Sequence, residues 1–282
     1  MKKLDTSKIR DAVRDAVLDI SVHVESSCVE AMKRAEENET NPLASYALKL
    51  MNENIALASK TSSPVCQDTG MCIVFAEIGQ EVVLTGDLLD DAINEGVREG
   101  YVYLRKSVLD PVTRINTKDN TPAVIHTSIV KGDKVKLGVI LKGFGSENMS
   151  KLYMLNPAQG LDTALELIVD TVRKSGSNPC PPVIIGVGLG GTFEKSAILS
   201  KHALLRKIGS ENDDEELDGL EKELLKRINA LGIGAQGFKG NTTCLAVFIE
   251  KYPTHISSLP VAVNVCCHAA RTKEIILEGE EI

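Results

Sequence analysis

Three cysteines lie in segments whose composition suits a metal-binding loop. Cys66 lies in Pro-Val-Cys-Gln-Asp-Thr-Gly, Cys180 in Asn-Pro-Cys-Pro-Pro, and Cys267 ends an apolar segment in Val-Cys-Cys-His-Ala-Ala-Arg. The prolines around the first two restrict the backbone and remove N–H donors, which suits a loop that holds a thiolate in a fixed geometry. These three positions are therefore candidate metal ligands.

The spacing of the cysteines favours an iron–sulfur cluster over structural zinc, because no Cys-x-x-Cys pair is present. Iron–sulfur clusters are held by cysteine thiolates, which distant loops can supply. Free cysteine is also among the most frequently buried residue types, as a small apolar side chain. Spacing alone leaves both interpretations open.

Composition excludes several classes of function. Aromatic residues make up 4% of the 282 residues and Trp is absent, which argues against platforms for stacking bases or sugars. A net charge of −7 argues against a dedicated nucleic-acid binder. An anionic substrate remains compatible with this charge, because a few local arginines outweigh a distant average.

The seven cysteines are odd in number and widely scattered, which is not typical of a disulfide framework. The sequence starts with a polar amphipathic segment, so we expect no signal peptide. No apolar run reaches the roughly 20 residues of a spanning helix. We therefore expect a cytoplasmic protein with reduced thiols and no membrane contact.

Apolar residues at helical spacing and capping signals predict seven helices. They begin at Thr6/Ser7, run over 26–38, 41–59, 86–109 and 159–174, extend from a Gly-rich turn to about Lys207, and run over 217–231.

Apolar and β-branched runs predict strands over 71–78, 182–187, 243–250 and 259–265. Residues 122–130 and 135–141, joined by a Gly-Asp turn, predict an antiparallel hairpin. Because strands and helices mix without strict βαβ alternation, we predict an α/β mixed (α+β) fold, with helices around mixed or antiparallel sheets. We expect one catalytic domain over residues 1–282, in two lobes without a clear linker.

The run from Gly186 to Gly191 satisfies the Gly-x-Gly-x-x-Gly pattern of dinucleotide-binding turns. That pattern also needs an acidic residue about 20 positions later, at the end of a second strand. Here that region runs from Leu205 to Glu211 and reads as a helix end leading into a charged loop. A nucleotide-binding oxidoreductase is therefore a distant alternative, and we expect the glycines to pack closely behind Cys180.

Several motifs occur in the same order as in one known family. Beside the segments of Cys66 and Cys180, they are Gly-Ile-Gly-Ala-Gln-Gly from Gly232, and Pro-Thr-His at His255, followed by Cys267. The chain resembles the N-terminal half of class I fumarases, and equally the α subunits of two-subunit fumarases and L-tartrate dehydratases. The resemblance runs from about Leu43 to Arg271 and implies an iron–sulfur hydro-lyase N-terminal-domain fold.

The resemblance implies a [4Fe–4S] cluster held by Cys66, Cys180 and Cys267, with one iron open to substrate. Neighbouring side chains at a strand end point to opposite faces, so only one of Cys266 and Cys267 is expected to ligate. Cys267 keeps the family's offsets to the His and Arg of its motif. The remaining cysteines, Cys28, Cys72 and Cys244, read as core or helix-face residues.

The resemblance also implies a substrate pocket. Asp68 and His255 would be catalytic, while Gln67, Arg105 and Gly145 would bind substrate. Arginine suits this role because its guanidinium meets a carboxylate bidentately. By residue type alone, each charged or polar member could equally be a solvated or turn-forming residue. A weaker candidate, Arg271, would support the negative charge of the cluster.

The implied activity is the reversible hydration of fumarate to malate, with L-tartrate dehydration to oxaloacetate as the alternative. The family's other catalytic groups belong to a C-terminal half that this sequence lacks. We therefore expect a separate β subunit, an α2β2 or similar heteromer, and a small dicarboxylate as substrate. A non-catalytic iron–sulfur sensor is a distant alternative, because a sensor needs none of the pocket residues.

Overall fold

The computed structural model describes every residue from Met1 to Ile282 and contains both helices and strands throughout. Three short 3₁₀ turns supplement the α-helices. The α-helices are α1 (Thr6–Val22), α2 (Ser26–Asn38), α3 (Pro42–Thr61), α4 (Leu89–Gly100), α5 (Phe144–Glu147), α6 (Gly160–Ser175), α7 (Phe193–His202) and α8 (Glu215–Asn229). The strands are β1 (Lys2–Asp5), β2 (Met71–Gly79), β3 (Val82–Thr85), β4 (Val124–Val130), β5 (Lys134–Lys142), β6 (Lys151–Leu155), β7 (Val183–Gly190), β8 (Cys244–Tyr252), β9 (Leu259–Cys267), β10 (Thr272–Glu278) and β11 (Glu280–Glu281).

The chain divides into two compact units, each built from discontinuous segments. The first unit comprises Met1–Val24, Leu57–Gly143 and Arg271–Ile282. The second unit comprises Glu25–Ala56 and Phe144–Ala270. Each unit contains its own buried apolar cluster.

The first unit contains two sheets, in the strand orders β11-β1-β3 and β10-β5-β2-β4. Helix α1 buries Ile9, Val13 and Val17, which recur at helical spacing and form one apolar face. This face joins a core that includes Val74 of β2 and Val139 of β5. Asp5 caps the N-terminus of the helix, and its carboxylate accepts a hydrogen bond from the Ser7 N–H.

The second unit has one sheet, in the order β6-β9-β7-β8. Strand β7 lies inside the sheet and all its residues are buried, as expected for a central strand. The core of this unit includes Ile168 of α6, Leu224 of α8 and Val187 of β7. Helix α7 also packs closely against β7.

The four-stranded sheets of the two units share one pattern. In each, a central strand (β2 or β7) has a parallel edge neighbour, and on its other side two successive antiparallel strands. All three sheets of the chain are mixed and open, so the prediction of a mixed α/β fold is confirmed.

The predicted hairpin of residues 122–141 is wrong in its pairing. Strands β4 and β5 both form, but β2 lies between them, parallel to β4 and antiparallel to β5. The link after β4 crosses the end of β2 at Gly79, where an added Cβ would lie 2.5 Å from the Gly132 carbonyl oxygen. A strand distant in sequence has displaced the local partner that the turn signal suggested.

The predicted helix over 86–109 is shorter than expected, because α4 ends at Gly100. Beyond Tyr101 the backbone bonds to distant side chains instead of continuing the helix. The Arg105 carbonyl accepts a hydrogen bond from the Thr69 hydroxyl, and the N–H groups of Ser107 and Val108 donate to the Asn120 side chain. Arg105 therefore lies in a loop and not on a helix.

The predicted glycine-rich turn is wrong in its position. Gly186, Gly188 and Gly190 lie within β7 and not in a turn after it. An added Cβ would lie 2.1 Å from the Ser200 carbonyl oxygen at Gly186, and 2.0 Å from that of Ser196 at Gly188. These glycines let α7 lie against the strand, which gives the pattern a packing role. The structure also contains the parallel pair of β7 and β8, joined through helices, that the sequence did not indicate.

The other predicted helices and the remaining predicted strands form close to their expected limits. The sequence did not predict β1, β3, β6, β10 or β11, which are short or half-exposed. No helix combines the length and the apolar character needed to cross a membrane.

Candidate active site

In the first unit, the loop between α3 and β2 carries Cys66, Gln67 and Asp68. Cys66 is half-buried and Gln67 is exposed. The Val65 N–H donates to the Ser21 carbonyl at 2.9 Å, which anchors the start of the loop. The Asp68 Oδ1 atom accepts from the Gly70 N–H at 3.0 Å and closes its end. The loop is therefore held at both ends while its middle stays accessible.

A buried arginine lies against this loop. Arg271 is only 3% exposed, and its Nη1 atom donates to the Asp68 carbonyl at 2.7 Å. An added Cβ at Gly143 would lie 3.2 Å from both Arg271 Nη2 and Asp68 Oδ2. A side chain at residue 143 would crowd both groups, so glycine suits the close approach of the backbone to this charged pair. The Arg271 Nε atom is buried without a hydrogen-bond partner.

Arg105, the predicted carboxylate clamp, belongs to the same unit and has an exposed side chain. Its carbonyl accepts a hydrogen bond from the Thr69 hydroxyl at 2.6 Å. Because Thr69 follows Asp68 directly, this bond connects the Arg105 loop to the Cys66 loop. The structure thus brings Gln67, Asp68 and Arg105 onto two linked loops.

Two buried side chains strengthen the link between these loops. Asn120 donates to the Gly70 carbonyl at 3.0 Å and accepts from the Ser107 N–H at 2.7 Å. The Tyr101 hydroxyl lies 2.9 Å from the Thr69 carbonyl oxygen and 3.0 Å from that of Gly70. Burial raises the pKa of Tyr101, so the hydroxyl stays a donor. Sequence analysis missed Thr69, Tyr101 and Asn120, although Thr69 lies inside the Cys66 motif.

In the second unit, Cys180 lies in a tight loop before β7 and is exposed. Its φ of +54° is a left-handed conformation that non-glycine residues rarely adopt. The His268 Nδ1–H donates to the Cys180 carbonyl at 3.0 Å, and the Gln236 N–H donates to the Pro181 carbonyl at 2.8 Å. Strain kept in place by its surroundings is typical of functional positions. His268 thus braces the loop through its backbone.

Cys267 lies at the same edge of the sheet as the Cys180 loop. It ends β9 and is paired with Val183, the first residue of β7, three positions after Cys180. Cys267 is half-buried, whereas its neighbour Cys266 is buried. The accessible thiol of this adjacent pair is therefore the one at 267.

The remaining cysteines are poor metal ligands. Cys28, Cys72 and Cys244 are buried, as expected, and burial raises the pKa of each thiol to about 12. Metals bind the thiolate, which such a pKa makes scarce at neutral pH. Of seven cysteines, only the three predicted ligands are not buried. Three thiols therefore have the exposure that a thiolate ligand needs, Cys66 in the first unit and Cys180 and Cys267 in the second.

Gly145 lies in the short helix α5, next to the Cys180 loop. An added Cβ would have one near neighbour, the Asn178 carbonyl oxygen at 3.9 Å. The space beside the glycine is therefore open. The helix is fixed by Glu147, whose carboxylate lies 2.5 Å from Lys201 Nζ and accepts from Asn264 Nδ2 at 3.3 Å.

His255 is not near the cysteines of its own unit. It lies in the loop between β8 and β9, and Tyr252 at the end of β8 is paired with Gly190 at the end of β7. Cys267 is paired with Val183 at the start of β7. The strand of eight residues therefore separates His255 from the edge that carries Cys180 and Cys267.

No group of three or more His, Cys, Asp or Glu side chains is arranged to hold a single metal ion. Within their units, the structure joins Cys66, Gln67, Asp68 and Arg105 on linked loops, and Cys180, Cys267 and Gly145 at one edge.

Comparison with known proteins identifies the family. The sequence profile of the family described as Fumarate hydratase (Fumerase) matches residues 10–276. The chain belongs to this family.

Relatives carry the names of tartrate dehydratase α subunits. A Methanocaldococcus jannaschii protein, provisionally named an L(+)-tartrate dehydratase subunit α, is 38% identical over 272 residues, covering 94% of this chain and 95% of that one. The L(+)-tartrate dehydratase subunit α of Escherichia coli K12 is 29% identical over 285 residues, covering 99% and 94%.

Membership of the fumarate hydratase family confirms the resemblance drawn from the sequence motifs. It also confirms the prediction of a hydro-lyase at the level of the family. Because the family uses iron–sulfur chemistry, membership implies an iron–sulfur cluster for this chain.

Proposed function

We propose that this chain is the α subunit of a [4Fe–4S]-dependent hydro-lyase that dehydrates L(+)-tartrate to oxaloacetate. The sequence motifs put fumarate hydration first and tartrate second. The names of the relatives favour the reverse order, because they are L(+)-tartrate dehydratase α subunits. Fumarate hydration to malate remains the second candidate.

The observation that carries the proposal is the division among the cysteines. Cys66, Cys180 and Cys267 are accessible, while the other four are buried. Each accessible thiol lies in a loop or at a strand end, and two of those loops are fixed by hydrogen bonds. In this proposal the three thiolates hold the cluster. When bound, the cluster would supply a Lewis acid for departure of a hydroxyl group.

The chain's own residues would hold substrate and move protons. Arg105 would bind one carboxylate bidentately, with Gln67 as a further hydrogen-bond partner. Asp68 and His255 would take part in proton transfer. Gly145 would let substrate approach the backbone beside the Cys180 loop. The buried Arg271 would offset negative charge at the Cys66 loop.

The remaining catalytic groups would come from a β subunit. The relatives are named as α subunits, which implies such a partner in their enzymes. We propose an α2β2 or similar heteromer that binds a small dicarboxylate, with no nucleic-acid or membrane partner.

The first test measures iron and acid-labile sulfide in anaerobically reconstituted protein. Cys66→Ala, Cys180→Ala and Cys267→Ala are expected to lose the cluster signal in visible and EPR spectra. Cys266→Ala and Cys28→Ala are matched controls that should retain it. Folded wild-type protein without iron and sulfide would contradict the proposal.

The second test assigns the substrate. The reconstituted complex with its β subunit is assayed with L-tartrate, D-tartrate and fumarate under anaerobic conditions. We expect the highest kcat/KM with L-tartrate. A higher kcat/KM with fumarate would reverse the order of the two candidates.

A further inference from the structure

Gly145, the proposed substrate-side glycine, lies in a helix that is too short to be stable alone. Helix α5 has four residues, which is about one turn. Forming the first turn of a helix is unfavourable, because it fixes several backbone dihedral angles for a single hydrogen bond. The position of Gly145 therefore depends on the contacts that hold this turn in the second unit.

One of these contacts is a largely buried ion pair. Lys201 of α7 is 9% exposed, and its Nζ atom lies 2.5 Å from both carboxylate oxygens of Glu147. Asn264 of β9 is also buried and donates to this carboxylate, while its own Oδ1 atom is buried without a hydrogen-bond partner. Desolvation makes buried ion pairs a poor source of stability, and apolar side chains of similar volume often hold such a contact equally well. We therefore attribute the pair to the placement of α5.

Gly145 and Glu147 lie on different sides of α5. Residues two positions apart in an α-helix are separated by about 200° around its axis and do not face each other. The Glu147 side chain contacts α7 and β9, so Gly145 lies on a side away from those contacts. There an added Cβ would have one near neighbour, the Asn178 carbonyl oxygen at 3.9 Å. The ion pair thus anchors one side of the turn, and the open space beside the Cys180 loop is on another.

Lys201 is itself placed by the close packing of α7 on β7. It follows Ser200, whose carbonyl oxygen would lie 2.1 Å from an added Cβ at Gly186. One turn earlier, the Ser196 hydroxyl donates to the Gly188 carbonyl at 2.8 Å. These contacts fix α7 on the central strand. The ammonium group of Lys201 therefore has a defined position relative to the sheet.

We propose that Lys201 is a positioning residue for substrate binding, which acts through Glu147 on Gly145. This inference rests on the proposed function, in which Gly145 lets a dicarboxylate substrate approach the backbone beside the Cys180 loop. Lys201 acts without touching the substrate. The packed path from β7 through α7 sets where α5 lies, and so sets how closely the substrate approaches the backbone at Gly145.

Hydrogen–deuterium exchange of the full complex, followed by mass spectrometry, tests the anchoring without reference to activity. The N–H groups of Asn148 and Met149 donate to carbonyls of α5 at 3.0 Å and report on this turn. In Lys201→Met we expect the peptide of residues 144–150 to exchange at least about tenfold faster, because the turn opens locally more often. Other peptides of the second unit should exchange as in wild type. Equal acceleration across the unit, or none, would overturn the proposal.

Steady-state kinetics test the positioning, with L-tartrate or with fumarate if the wild-type complex prefers it. In Lys201→Met, with iron content intact, we expect KM to rise about tenfold and kcat to stay within about threefold, because binding and not chemistry is altered. Lys201→Arg keeps the positive charge and should recover most of the affinity. Lys222→Met removes an exposed ion pair with Asp218 on α8, so this matched control should behave as wild type.

A variant that leaves one buried charge without its partner can fail to fold. In that case the double variant Lys201→Met/Glu147→Gln carries the test, because it removes both charges and keeps similar side-chain volumes. The double variant should show the same rise in KM and the same faster exchange of residues 144–150. A wild-type KM in either folded variant would overturn the proposal.

The two measurements separate this inference from the proposed function. A wild-type complex that turns over neither tartrate nor fumarate would contradict the proposed function, whatever the exchange rates. Normal turnover, with faster exchange of residues 144–150 but an unchanged KM, would leave the proposed function intact and remove the positioning role of Lys201.

Discussion

At the scale of single residues, the chemistry of this chain depends on which thiols are accessible. Cys66, Cys180 and Cys267 are at least partly exposed, whereas burial raises the pKa of Cys28 and Cys72 to about 12. The same distinction separates Cys267 from its neighbour Cys266. Reactivity is therefore assigned by local environment and not by residue type.

The Thr69 hydroxyl connects the Cys66 loop to the Arg105 loop. Removing this hydroxyl therefore tests whether the connection positions Arg105. In Thr69→Val the Arg105 carbonyl loses its donor, so we expect the guanidinium to be misplaced. Losing one such hydrogen bond should raise KM about tenfold with a smaller change in kcat. Steady-state kinetics of the reconstituted complex measure this.

Two variants control that experiment. Thr69→Ser keeps the hydroxyl and should restore most of the affinity. Thr127→Val makes the same exchange at an exposed position on β4 and should behave as wild type. An unchanged KM in Thr69→Val, with iron content intact, would show that the loops are positioned independently.

Gly145→Ala tests the open space beside the Cys180 loop. The added methyl group meets only the Asn178 carbonyl oxygen at 3.9 Å, so the fold should accept it. We expect the free energy of unfolding to stay within about 1 kcal/mol of wild type. Because the methyl group would meet substrate, KM should rise at least about tenfold. Wild-type kinetics would remove Gly145 from the substrate pocket.

Motifs revealed the site residues that belong to continuous segments. Cys66, Gln67 and Asp68 were accessible to sequence analysis because they are consecutive. Asn120 was not, because nothing near it in the sequence indicates that its amide bonds to Gly70, fifty positions earlier. The distance between His255 and Cys267 was likewise hidden, since their separation of twelve residues does not reveal an intervening extended strand.

At the scale of elements, close packing against α7 explains Gly186 and Gly188 of β7. Helix α7 lies so near the strand that Gly188 has no room for a Cβ. Gly186 and Gly188, followed by Gly191, look like a nucleotide-binding turn when they are read without the strand around them. Local patterns predicted most helices well, but they could not reveal that β2 separates β4 from β5, because strand order depends on contacts between distant segments.

Gly188→Ala should destabilise the second unit strongly. The new Cβ would lie 2.0 Å from the Ser196 carbonyl oxygen and 2.9 Å from the Ser200 nitrogen, both backbone atoms that cannot move without shifting α7. We expect a loss of about 3 kcal/mol in the free energy of unfolding. Urea denaturation followed by circular dichroism measures this loss.

The matched control is Gly219→Ala in α8. No atom lies within 4 Å of an added Cβ there, and the residue is exposed. Alanine should stabilise this helix by about 0.5–1 kcal/mol. Equal stability of the two variants would contradict the packing role of the β7 glycines.

At the scale of the whole molecule, each of the two units carries part of the proposed site. The first unit provides Cys66 and Arg105, and the second provides Cys180 and Cys267. In the second unit, two of the three proposed ligands, Cys180 and Cys267, lie at the edge where the central strand begins.

The isolated α subunit should bind a cluster but turn over poorly. Without the β subunit, part of the orienting machinery is absent, so kcat with L-tartrate should fall at least about a hundredfold. Iron and sulfide content should match that of the complex. The measurement compares anaerobic α alone with α plus β, and full activity of α alone would contradict the need for a partner.

The buried thiols have a consequence for how the protein recovers from oxidative damage. After a cluster is lost, four of the seven sulfur atoms are still shielded by the surrounding structure. Cys28, Cys72 and Cys244 are too protonated to capture stray iron or to exchange disulfides rapidly. Under the proposed ligand assignment, incoming iron would meet mainly Cys66, Cys180 and Cys267, and a disulfide confined to those three would be reversed by reduction and reloading without unfolding the chain.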